Sequence, residues 1–138
     1  MDYRNTKEMN YFGSDLNKFA HKNCTKQMTI NNIDYLSYKR DKKTLRIIES
    51  KHSKEGMPTS QKEVLDIFAF IFKKLNKRII MVEYTFECYI HRGDPPYNCS
   101  EIEDLVNDKE FTLDNENLVK FLEFKDYQTI EQLNEIHS

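Results

Sequence analysis

Apolar side chains recur along this chain with two different periods, and the switches between them mark out its elements. From about Thr6 to Asn23 the apolar residues Met9, Phe12, Leu16 and Phe19 fall three and four apart, the spacing of one helix face. Gly13-Ser14 interrupts that run, so Ser14 can also cap a shorter helix from Asp15. Thr25 to Ile30 is a short strand-compatible run, and Asn31-Asn32 supplies turn chemistry after it. Ile33-Asp34-Tyr35-Leu36-Ser37-Tyr38 and Thr44-Leu45-Arg46-Ile47-Ile48-Glu49-Ser50-Lys51 flank the charged Lys39-Arg40-Asp41-Lys42-Lys43, a pattern that predicts a β-hairpin. A loop from His52 to Thr59, punctuated by Gly56 and Pro58, leads to Ser60-Gln61-Lys62-Glu63, which has the residue types of a capping box. Behind it Val64, Leu65, Phe68, Ile71, Phe72 and Leu75 form a wide apolar helix face. Ile79 to Ile90 is the longest strand candidate, with Ile80, Val82, Tyr84, Phe86, Cys88 and Ile90 on one face and Glu83, Thr85 and Glu87 on the other, so one face should be covered and the other partly wet near its later half. Past the loop Arg92–Tyr97, Ser100-Glu101-Ile102-Glu103 predicts a short capped helix through Val106. Phe111-Thr112-Leu113 predicts a brief strand, and Asp114 caps a helix bearing Leu118, Phe121 and Leu122. A last helix is expected from Thr129 to His137.

The order is helix, three antiparallel strands, helix, long strand, which is an α/β class with extra C-terminal helices. We expect one domain over residues 1–138, with a core from about 6 to 91 and a helical extension from about 98 to 138.

Composition narrows the class. With 138 residues, three Gly and three Pro, the chain has the length of one ordinary domain and little linker character. Eight Tyr and nine Phe supply a core in the absence of Trp. A formal charge of −2 and a pI near 6.1 give no global basic field for nucleic acid, so any basic surface has to be local. Cys24, Cys88 and Cys99 are odd in number and show no paired spacing, which suits free thiols in a reducing compartment and not a zinc site. The start lacks a signal-peptide core, and no apolar run is long enough to cross a bilayer. The expectation is a soluble intracellular protein, cytoplasmic or nucleoid-associated, with no membrane partner.

The chemistry concentrates in the hairpin. Any loop closing symmetrically about Asp41-Lys42 sets Lys39 opposite Thr44, and the same register sets Asp34 opposite Glu49. Facing side chains on an antiparallel pair lie roughly 4.5–5.5 Å apart at Cβ. Lys51, two positions on, returns to the face of Glu49. Two facing carboxylates repel, and a divalent cation bound between them reverses the sign, since hard ions take carboxylate oxygens. Acid-x-Lys triplets also occur at Asp41-Lys42-Lys43 and Glu123-Phe124-Lys125, where they read as solvated charge. Glu49-Ser50-Lys51 differs in ending an apolar strand, facing an acid and preceding a helix. The alternative for it is an ordinary set of hairpin surface charges. His52 is either a base for that site or a locally hydrogen-bonded strand-end histidine. Gln61 can aim its amide at the site or simply begin a helix, and Lys73, Lys74, Lys77 and Arg78 complement a helix C-terminus.

An acid on one strand, Glu49-Ser50-Lys51 on the next and Thr59-Ser60-Gln61-Lys62 opening a helix resemble the PD-(D/E)xK nuclease superfamily. Within it they are similar to the virus-type replication-repair nuclease modules and then to small Holliday-junction resolvases. The resemblance covers roughly Gly13 to Val82. Ile33 stands where the family has a proline, and Asn17 stands where a first-helix acid is expected, with Glu8 and Asp15 the available substitutes. The resemblance implies a restriction-endonuclease-like core and a Mg²⁺ or Mn²⁺ held by Asp34, Glu49 and the Ser50 carbonyl. Lys51 and Gln61 would act on the attacking water, and the products would carry 5′-phosphates. It further implies DNA as substrate, branched DNA included, and a homodimer as the assembly suited to such substrates. Lys54, Lys39 and Arg40 are the candidate phosphate contacts. The acidic last third and the incomplete first-helix acid fit a different function: a catalytically inactive nuclease-fold interaction protein, of viral or mobile-element type, docking a host protein.

Overall fold

Strand β1, Tyr35–Lys39, turns through a short 3₁₀ segment at Arg40–Lys42 into β2, Thr44–Lys51, in a computed structural model of the chain. Lys43 closes the turn in the left-handed region at φ 47°. The strands are antiparallel with Lys39 opposite Thr44 and Tyr35 opposite Ile48, which is the predicted register. The structure describes residues 19, 22–23, 34–52, 56–77 and 83–137. Contacts divide the chain into two units, Met1–Asn32 and Ile33–Ser138. In the first, Phe19, Lys22 and Asn23 are helical, and the Asn23 amide donates to the Phe19 carbonyl at 2.9 Å. The predicted strand Thr25–Ile30, together with Glu8, Asp15 and Lys54, lies outside the described residues.

The second unit is α/β with a five-stranded mixed sheet in the order β1-β2-β3-β4-β5. After β2 comes helix α1, Thr59–Asn76, and the chain returns as β3, Thr85–Arg92, parallel to β2 with Ser50 opposite His91. Such a parallel pair needs a crossover, and α1 provides it. Strands β4, Ser100–Asp104, and β5, Lys109–Leu113, add antiparallel pairs at the far edge. Helices α2, Asn115–Leu122, and α3, Ile130–His137, complete the unit.

The period of two on β2 and β3 divides the core into two layers. Ile47, Cys88 and Ile90 pack with Leu65, Ala69 and Phe72 of α1. Ile48, Tyr89 and Ile102 pack with Leu113, Leu118 and Phe121 on the opposite side. Both faces of the central strands are therefore covered, where the sequence suggested that one face of β3 would be partly wet. Arg46 is buried in the second layer. Its Nε donates to Glu87 Oε1 at 2.9 Å and its Nη1 donates to the Phe121 carbonyl at 2.6 Å. Its guanidinium lies 4.3 Å from the Phe121 ring centre and 3.9 Å from that of Phe124.

Three sequence expectations are corrected. Ser100–Val106 is not a capped helix. Ser100 and Ile102 are buried, Glu101 is exposed, and this alternation forms β4. The Ser100 hydroxyl pairs with His91 Nε2 at 2.8 Å and not with a helix terminus. Asp104 then accepts from the backbone amides of Val106 and Asn107 and shapes the turn into β5. The residues from 98 onward therefore begin as a sheet hairpin and become helical only from Asn115. Second, α1 starts at Thr59 behind Pro58, whose φ of −55° presets the entry, and no side chain caps it. Ser60 is already helical there, which leaves the capping box unformed. Third, the strand expected over Ile79–Ile90 does not include Glu83 and Tyr84 and runs on past Ile90 to Arg92, while residues 79–82 lie outside the described residues. Farther along, Asp114 caps α2, accepting from the Asn117 amide. Thr129 and Gln132 exchange hydrogen bonds at the start of α3.

Candidate active site

The C-terminal end of β2 carries the charged residues. Glu49 and Lys51 lie on the α1 side of the strand, and Ser50 between them points to the other side, as the period of two requires. One position beyond the Tyr35–Ile48 pair, Asp34 sits at the start of β1, and its Oδ2 accepts from the backbone amide of Ser50 at 3.0 Å. That bond holds the Asp34 carboxyl beside Glu49, whose proton affinity Asp34 raises by charge and hydrogen bonding. Lys51 Nζ lies 3.7 Å from Glu49 Oε1. Because α1 begins at Thr59, Gln61 occupies its first turn and donates from Nε2 to the same Oε1 at 2.6 Å. The structure thus brings together Asp34, Glu49, Ser50, Lys51 and Gln61 from two strands and one helix.

Glu49 is 5% exposed. Burial, the Asp34 charge and the hydrogen bond with Asp34 together push its carboxyl up from 4.5 to about 7, against the opposing pull of Lys51. Gln61 adds a second signal. Its Oε1 is buried without a hydrogen-bond partner, while its amide group is committed to Glu49. A buried acceptor left unpaired costs about 1–3 kcal/mol, so it marks a place where a donor is missing.

Oxygen donors of this kind suit a hard divalent ion. Asp34 and Glu49 supply two carboxylates, and the Ser50 carbonyl adds a neutral oxygen from the residue that holds Asp34 in place. Among the described residues no group of three or more His, Cys, Asp and Glu side chains converges, and Glu8 and Asp15 lie outside those residues.

Other candidates lie elsewhere. Lys39 and Arg40 are at the turn end of the hairpin, five residues of strand from Asp34, and Lys39 is 3.7 Å from Asp41. His52 Nδ1 lies 2.6 Å from Asp94 Oδ1. Lys73 pairs with Asp108 at 2.9 Å.

Sequence reasoning missed a polar chain behind the site. His91 Nδ1 lies 2.8 Å from Ser50 Oγ, and its Nε2 lies 2.8 Å from Ser100 Oγ. Burial holds the His91 pKa below its ordinary value, so the ring is neutral between two hydroxyls. Only the parallel pairing of β2 with β3 places Ser50 beside His91, and no local spacing announces a pair 41 residues apart.

No protein-family model, curated protein or solved structure matches the chain.

Proposed function

We propose that the chain is a Mg²⁺- or Mn²⁺-dependent nuclease with a restriction-endonuclease-like core. The observation that carries this reading is the convergence of the Asp34 and Glu49 carboxyls around the Ser50 amide, with the Lys51 ammonium alongside. Two acids driven together, Glu49 buried and Asp34 exposed, repel each other, and a cation relieves that repulsion. When bound, the ion supplies a water of lowered pKa and neutralises charge growing on the phosphoryl oxygens. Asp34 and Glu49 hold it. Lys51 orients the attacking water or a non-bridging phosphate oxygen. Gln61 fixes the Glu49 carboxylate through its amide and offers its unpaired Oε1 as an acceptor for that water. DNA, branched DNA included, is the substrate class taken from the family resemblance.

The test is cleavage of a panel of duplex, single-stranded, flap and four-way DNA with Mg²⁺ or Mn²⁺. The parent chain is expected to cut at least one substrate, and the folded double variant Asp34→Ala/Lys51→Ala none. Equal cleavage by the double variant would end the nuclease reading.

One observation favours a second reading, a non-catalytic module that keeps this fold to bind a partner. On α1, Ile67, Phe70 and Ile71 are 59%, 63% and 45% exposed and lie at helical spacing on one outward stripe. Thermal melting separates the two readings. A metal-binding native state melts higher with Mn²⁺, whereas a docking module has no reason to respond.

A further inference from the structure

Across β2 from the two acids, on the α2 side of the sheet, lies a cavity of about 470 Å³, within the size range of small-molecule sites. Its floor is apolar: Ile48, Ile102, Leu118, Phe121 and Leu122. Tyr35 and Tyr97 also line it, and both rings are open to solvent, at 55% and 89% exposure. The polar part of the lining is Ser50, Lys51, His52, His91 and Asp94. Gly93, also in the lining, has φ +146°, and a Cβ there would meet the Cys99 carbonyl oxygen at 3.0 Å, so the wall needs glycine at that point.

We propose that this cavity binds a nucleobase, that of an unpaired nucleotide whose phosphate lies at the Asp34/Glu49/Lys51 site. The choice of ligand rests on the nuclease reading above, and the chemistry of the wall supports it independently. Two exposed phenol rings offer π faces to a flat heteroaromatic group, a mode of binding that every base satisfies. Beyond its bond to His91, the Ser50 hydroxyl has hydrogen-bonding capacity that a purely apolar ligand such as an acyl chain would leave unused. A bare anion could meet Lys51 and His52, but it would also meet the Asp94 carboxylate and would leave the apolar lining unused. A base presents both donors and acceptors on its edge, and the neutral Ser50–His91–Ser100 chain can turn either way. Each ring nitrogen of His91 faces a hydroxyl, which donates or accepts as needed. Weak discrimination among the bases follows from that freedom.

Position gives the second argument. Ser50 belongs to both places: its amide holds the Asp34 carboxylate, and its hydroxyl is bonded to His91 of the cavity wall. Lys51 lies beside Glu49 and also lines the cavity, and Tyr35 follows Asp34 directly in sequence. A nucleotide spanning the two would need to be unstacked, which duplex DNA permits only at flaps, junctions, mismatches or ends.

The test uses the full chain with Mn²⁺; the ligands are phosphate monoesters, so binding is read without cleavage. Calorimetric titrations with 2′-deoxyadenosine 5′-monophosphate and thymidine 5′-monophosphate are compared with 2-deoxyribose 5-phosphate, which lacks the base. Both nucleotides are expected to bind within a few-fold of each other, and the sugar phosphate about tenfold or more weaker, the scale of one stacked base. Tyr97→Ala removes an exposed ring, and Leu122→Trp fills the cavity from a side chain that is 46% exposed, so both are expected to fold. Each should weaken nucleotide binding about tenfold or more. Equal affinity for the sugar phosphate, or unchanged affinity in both variants, would overturn the proposal. So would a Leu122→Trp chain that loses self-association while nucleotide affinity stays the same, because the occupant would then be a second copy. Nucleotide binding without cleavage of the DNA panel would keep the cavity assignment and remove the nuclease reading, and cleavage without nucleotide binding would do the reverse.

Discussion

Replacing Glu49 by glutamine should make the metal-free protein more stable at pH 8 and leave its stability almost unchanged near pH 4.5. The reasoning starts from the carboxyl pair. Glu49 holds its proton up to about 7 in the folded chain, against an ordinary value of 4.5. Between those values the native state binds more protons than the unfolded state, so stability falls as pH rises through the window and the full penalty is present above about 7. At roughly 1.4 kcal/mol per pH unit, the penalty is on the order of 3 kcal/mol. Glutamine has the same shape and no charge to lose. Its oxygen still accepts from Gln61, and its amide can donate to Asp34, so the contacts of Glu49 have replacements. The assay is urea unfolding followed by circular dichroism at pH 5, 6, 7 and 8 in chelator, with ΔG taken by linear extrapolation. The expected result is a difference between variant and parent that is small at pH 5 and grows towards ~3 kcal/mol at pH 8. A constant difference across that range, or a variant less stable than the parent at pH 8, would show that the two carboxyls do not meet in the folded chain.

Two further predictions use the same methods. Divalent metal and proton compete for Glu49, so the rise in Tm at fixed Mn²⁺ should be small at pH 5.5 and level off above about 7, and a pH-independent rise would place the ion elsewhere. Arg46→Met should cost about 3 kcal/mol in urea unfolding, because the Phe121 carbonyl and the Glu87 carboxylate lose their partner; a cost below about 1 kcal/mol would refute the cage described for it.

The hairpin was legible because its signals are local. A symmetric charged turn between two alternating strands fixes the register, and the register brings Asp34 to Glu49 and Lys51 back to the same face. Asp114 was legible for the same reason, since a cap acts only on the three residues after it. What the sequence concealed depends on distant partners. Ser100-Glu101-Ile102-Glu103 satisfies a capping pattern and a strand alternation equally well. The decision falls to His91 and to the pairing with β3 and β5, which lie elsewhere in the chain. Arg46 reads as a polar residue in a strand, and its burial depends on Glu87, Phe121 and Phe124, none of them within 40 residues. The cavity likewise forms only when β2 and β3 pair in parallel and α2 folds back over them.

The same strand that builds the site also sets its stability against its use. On one side of β2, Arg46, Ile48 and Ser50 are fixed by a cation–aromatic cage, the α2 core and a neutral hydrogen-bond chain. On the other, Ile47 is buried under α1, while Glu49 is held against a second carboxyl by Gln61 and by the amide that retains Asp34. A chain selected for stability alone has a simple remedy at this position, since a neutral side chain removes the repulsion and keeps the contacts. Two ionisable acids in contact at the end of β2, at an expense of about 3 kcal/mol near neutral pH, are the stability–activity opposition that the proposed nuclease reading expects. Under the proposed nuclease reading, Glu49→Gln is expected both to stabilise the protein at pH 8 and to abolish metal-dependent cleavage, and a Glu49→Gln chain that is both more stable and fully active would break that link.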